Sequence, residues 1–136
     1  MAKMALLASY VAINGVDLSD HTSKIELTTE VEEKDVTTFA SLGWKEVLGG
    51  LKSGSLALTF KQDVAASSLD SQIWALFGTV TTFEVRLTNA VVGTSNPKYT
   101  GSALVRQWTP ISGSVGDVAE ASVTWPSSGV VTRGTS

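Results

Sequence analysis

A chain of 136 residues, 43% of them hydrophobic, is long enough for about one domain with its own core. It has no cysteine, which excludes disulfides and thiolate metal sites. Its net charge of -3 leaves no basic footprint for specific nucleic-acid binding.

The opening MAKMALLASYVAI has one lysine and a short apolar run, but no small-residue cleavage pattern before Asn14-Gly15. It is therefore not read as a signal peptide, and no apolar stretch approaches the roughly 20 residues that cross a bilayer. No membrane partner is expected. Asn14-Gly15, between Val11 to Ile13 and Val16 to Leu18, predicts a tight hairpin, because a type I′ turn needs positive φ at both central residues.

Alternation then dominates. KIELTTEVE places Ile25, Leu27, Thr29 and Val31 on one side and Lys24, Glu26, Thr28, Glu30 and Glu32 on the other. SLALTFK sets Leu56, Leu58 and Phe60 against Ser55, Ala57, Thr59 and Lys61. TFEVRLT sets Phe83, Val85 and Leu87 against Thr82, Glu84, Arg86 and Thr88. Further strands are expected at Tyr99 to Trp108, Val118 to Trp125 and Val130 to Arg133. One segment, SSLDSQIWALFG, reads instead as a helix of about three turns, with Leu69, Ile73, Leu76 and Phe77 as its apolar stripe. Ser67 and Asp70 make a capping pair and Gly78 suits the left-handed position after the last turn. The expected fold is mainly β, a sandwich or barrel with one short flanking α-helix, in a single domain over 1–136.

Residues for chemistry are scarce. His21 is the only histidine, and Asp20 beside it cannot alone assemble a nucleophile, base and orienter, so His21 reads as a solvated turn residue. The acidic run from Glu30 to Asp35 lacks the ligand alternation and glycine of a calcium loop. Leu51-Lys52-Ser53 resembles the end of a phosphate-binding loop, but it lacks the glycine before the lysine and a strand follows where a helix should. The four tryptophans lack interleaved basic residues and read as core and interface packing. No catalytic residue, cofactor or metal is expected, and the chain is not read as an enzyme.

One stretch stands apart. TTFASLGWKEVLGGLKSG carries Phe39, Leu42, Trp44, Val47, Leu48 and Leu51 among glycines, and residues 34–54 read as a long apolar loop. Monomers rarely expose such a patch. It is either a lid over the end of its own sandwich or a loop ordered by neighbouring subunits, since long connections without structure of their own are usually functional.

The string from Glu33 to Phe60, EKDVTTFASLGWKEVLGGLKSGSLALTF, resembles the matching part of tail tube proteins, also called major tail proteins, of phages with long noncontractile tails. An Asp-Val-Thr start, a glycine and aromatic loop and a Gly-Leu-Lys entry into the next strand carry the resemblance. The hairpin, helix and final strands follow in similar order. The resemblance implies hexameric rings stacked into a hollow tube, a virion structural protein made in the bacterial host cytoplasm, with the loop between subunits. It implies as partners further copies of the chain and other tail proteins such as the tape measure, tail tip and terminator, with DNA passing through unbound. A type VI secretion-like tube protein and a capsid-decorating β-sandwich protein are the other readings.

Within that resemblance the polar strand faces become candidates for the channel wall. Lys24, Glu26, Glu30, Glu32, Lys61, Glu84 and Arg86 are three basic and four acidic side chains, a balance of -1 per subunit or -6 in a ring of six. Such a wall repels a polyanion rather than trapping it.

Overall fold

The computed structural model describes residues 3–136. Met1 and Ala2, the first two residues of the segment weighed above as a signal peptide, lie outside the described residues. The strands are β1 (Tyr10–Ile13), β2 (Val16–Asp17), β3 (Thr22–Asp35), β4 (Val47–Lys61), β5 (Val80–Arg86), β6 (Lys98–Leu104), β7 (Glu120–Pro126) and β8 (Thr132–Gly134), with the helix α1 (Leu69–Leu76) between β4 and β5. The mainly β fold with one short α-helix is as expected.

All pairings are antiparallel, in two sheets of order β2-β1-β5-β6-β8 and β3-β4-β7. Asn14 and Gly15 join β1 to β2 with φ of 54° and 77°, the positive pair that the hairpin turn demands. The alternation works as read for Leu56, Leu58 and Phe60 of β4, Val123 and Trp125 of β7, and Phe83 and Val85 of β5, which point into one core. On β3, by contrast, Ile25 and Leu27 are only partly buried and Thr29 and Val31 are exposed, and Leu87 lies exposed beyond β5. Trp125 is fully buried and donates its Nε1–H to Gln107 O at 2.9 Å, so its one polar atom is satisfied where water cannot reach.

The helix is shorter than expected, eight residues or about two turns. Leu69 and Ile73 are buried and Leu76 packs against the core. Phe77 is not part of that stripe. It is the residue after the last turn and lies exposed, stacked on Trp74 with ring centroids 5.6 Å apart. The capping pair is also corrected: Ser67 has φ of 59° and precedes the N-cap, Ser68, while Asp70 accepts the Trp108 Nε1–H at 3.0 Å. Gly78 does take the left-handed conformation, with φ of 85°.

The largest departure concerns residues 34–54. They are not a loop: β3 runs through Asp35 and β4 begins at Val47, so only residues 36–46 connect them. Gly49, Gly50 and Gly54 lie in the strand and do not take positive φ. Their small size admits close neighbours. A Cβ on Gly50 would lie 3.0 Å from Lys34 Cε and 3.1 Å from Glu32 Cβ, at the register shift between Val31 and Glu33.

Candidate assembly surface

β7 pairs with β4 only from Ser55 to Lys61, and Pro126 is its last residue. Proline has no N–H to continue a ladder. The chain then crosses over: Ser127 N–H donates to Gly54 O at 2.9 Å and Ser128 N–H to Ser102 O at 2.8 Å, on β6 of the other sheet. Past this point β3 and β4 continue alone as a two-stranded arm, in which every residue from 29 to 53 except Ser41 is exposed. Such a ribbon is marginal by itself in water.

The end of the arm is nevertheless well tied. Val36 N–H donates to Glu46 O at 3.0 Å, and Thr37 Oγ1 both accepts from Glu46 N–H at 2.8 Å and donates to Glu46 O at 3.2 Å. Ser41 Oγ accepts from Thr38 N–H, and Trp44 N–H donates to Ser41 O at 3.0 Å. Leu42 and Gly43, with φ of 52° and 85°, turn the chain. Polar groups are thus spent within the tip while apolar side chains point away from it. Phe39 is 103% exposed, Leu42 85% and Trp44 79%. The lid alternative fails, because these side chains cover nothing of their own subunit. Val47, Leu48 and Leu51 are exposed on the β4 side of the arm, and Val36, not singled out in the sequence, joins them.

The seven candidate channel residues do not share one surface. Lys24, Glu26 and Lys61 lie on the outer face of the β3-β4-β7 sheet, opposite inward Ile25, Leu58 and Phe60. Glu120 stands there too, ion-paired with Lys61. Glu30 and Glu32 belong to the arm, where Glu32 pairs with Lys34 at 2.7 Å. Glu84 and Arg86 face outward from the other sheet, paired at 2.6 Å, with Arg86 over the Tyr10 ring. The balance of -1 therefore describes no single wall; alternation fixes faces within a strand and not which sheet holds the strand.

A second apolar feature lies between the sheets on the β3 flank. A slot of about 330 Å³ is lined by Leu6, Ile25, Leu27, Val85, Leu87 and Tyr99, among others. Here the core is left open, since Ile25, Leu27 and Tyr99 pack against it but are only partly buried. Nothing in the sequence marked this slot, because it is made by the spacing of two sheets. The exposed Trp74 was legible, since it stands off the Leu69, Ile73 and Leu76 stripe.

Comparison with known proteins finds no matching family model and no matching curated protein. Solved structures do match. One is a virion of a native gene transfer agent particle, with 22% identity over 83% of this chain and 84% of that chain and a TM-score of 0.67. Another is the tail of an empty gene transfer agent particle with C6 symmetry, with 19% identity over 93% of both chains and a TM-score of 0.69. The chain has the fold found in these particles. The likeness to the gene transfer agent tail extends over nearly the whole chain, so the arm and both sheets are compared together.

Proposed function

We propose that the chain is a tail tube subunit: six copies close a ring, and rings stack into a hollow tube that conducts DNA. The observation that carries this reading is the likeness, over 93% of both chains, to a gene transfer agent tail with C6 symmetry. The exposed arm supports it, because a two-stranded ribbon with apolar side chains on its end is stabilised by neighbours. Phe39, Leu42, Trp44, Val47, Leu48 and Leu51 make that intersubunit contact. The subunit is made in the cytoplasm of a bacterial host and ends in the virion tail, where tape measure, tip and terminator proteins meet the tube.

The outer face of the β3-β4-β7 sheet is the one we assign to the channel. Both of its edges are long strands, of fourteen and seven residues, that can be extended by neighbouring copies. The other sheet ends in strands of two and three residues, the short edges that discourage further pairing. On this reading Lys24, Glu26 and Lys61 line the channel together with Glu120, Thr59, Ser122 and Thr124, while Glu84 and Arg86 do not. Two lysines against two glutamates leave the wall near neutral, so DNA slides past without being held.

Electron microscopy of the concentrated protein tests the proposal. Six-fold rings or tubes are expected. A particle that stays monomeric by light scattering at all concentrations and salt conditions overturns it.

A further inference from the structure

The fold leaves two apolar features open that cannot cover each other within one copy. One is the knob at the end of the arm, with Phe39, Leu42 and Trp44 outward. The other is the slot between the sheets. β3 itself forms a wall of the slot through Ile25 and Leu27 and then runs on to Asp35 at the neck of the knob. It is held extended by pairing with β4, interrupted only by register shifts next to Thr22 and Val31. A strand so held cannot bring its far end back to its middle.

We propose that the knob of one copy docks in the slot of the next. The occupant is therefore a second copy of this chain, joined head to tail. Charge favours the same match. The neck carries Asp35 and Glu46, neither of them ion-paired among the described residues, whereas the lysines next to them in sequence, Lys34 and Lys45, are held by Glu32 and Glu33. Of the residues lining the slot, the charged one is Arg86, which is basic. A knob that fits a slot elsewhere on the same molecule makes a heterologous contact, which propagates from copy to copy and closes only as a ring or extends as a filament. This names the receiving surface for the arm and rests on the tail tube reading.

The absence of native cysteine makes the test clean. A chain carrying both Leu42→Cys and Leu87→Cys is assembled, oxidised and run on a non-reducing gel, with each single variant alone and the two single variants mixed. The expected result is a ladder of covalent multimers beyond the dimer for the double variant and a mixed dimer for the blend, with little linkage in either single variant alone. Ile25→Cys replaces Leu87→Cys if the latter lowers the melting temperature. Tubes visible by microscopy without a ladder overturn the docking while leaving the tail tube reading intact, and assign the slot to the chain's own residues 3–9. A ladder that stops at the dimer also overturns it, since that marks a two-fold contact. A ladder without tubes supports the docking and counts against the tube. Neither ladder nor assembly overturns both.

Discussion

His21 Nε2 lies 2.9 Å from Asp63 Oδ2, a contact that closes 42 residues of chain and ties the start of β3 to the segment entering α1. His21 is thus a partly buried clasp residue, with Asp20 Oδ1 2.9 Å from its Nδ1, and not the solvated turn residue expected from sequence. The hydrogen bond to Asp63, against some desolvation and with help from Asp20, raises the His21 pKa above its ordinary 6.5. Asp63 accepts from Ser68 Oγ–H, Ala65 N–H and His21, which lowers its pKa from 3.8 to about 2.

The pH dependence follows from those directions. His21 holds its proton more tightly when folded, so its contribution is complete below pH 6.5 and fades as pH rises through the raised value. Asp63 contributes above pH 3.8 and loses that contribution as pH falls through about 2. His21→Gln should therefore lower the melting temperature at pH 5, and the gap to the unmodified protein should close on raising the pH to 9. An equal gap at both pH values would contradict the charged clasp.

Trp44 and Trp125 should respond oppositely to truncation. Trp125→Ala empties a fully buried site and should cost roughly 3 to 5 kcal/mol of subunit stability. Trp44→Ala removes an exposed side chain and should change subunit stability by no more than about 0.5 kcal/mol while sharply lowering tube yield. Denaturant melts beside electron microscopy check both, and a stable Trp44→Ala protein that still assembles normally would remove the arm from the interface.

Gly101 has little room for a side chain. A Cβ there would stand 3.1 Å from Phe83 Cζ and 3.2 Å from Val130 O, and the carbonyl belongs to backbone. Gly101→Ala should destabilise by about 1 to 3 kcal/mol through overpacking, read from chemical denaturation.

The two outer faces can be distinguished by adding charge. Glu26→Lys with Thr124→Lys places lysines on the β3-β4-β7 face, and Thr82→Lys with Thr100→Lys places them on the other. Assembled tubes of the first pair should retain linear DNA in a salt-dependent way, and intact tubes of the second should not retain it in the bore. DNA held in the bore only by the second pair would exchange the assignment of the sheets.

Much of the fold was legible in the sequence because one physical signal, alternation with a dry face, repeats in Leu56-Leu58-Phe60 and Phe83-Val85. Asn14-Gly15 added a turn that few other residue pairs accept. What was hidden depends on partners distant in sequence. Asp63 is needed to explain His21, and Gly49 and Gly50 read as breakers until Val31 is seen against the first and Lys34 and Glu32 against the second. Composition cannot separate the buried Trp108 and Trp125 from the exposed Trp44 and Trp74, since burial depends on which sheet or end each one reaches. The candidate knob was visible as an apolar patch, but its supporting hydrogen bonds through Thr37 were not.

The two-stranded arm also restricts how this protein can change length. Side chains alternate along a strand, so removing one residue from each strand would turn Lys34 and Leu48 over to the opposite face, whereas removing two restores them. Each permitted step moves the tip by roughly 7 Å relative to the body. The reach of the arm is therefore quantised, and any surface that receives its tip must shift by whole steps to follow it.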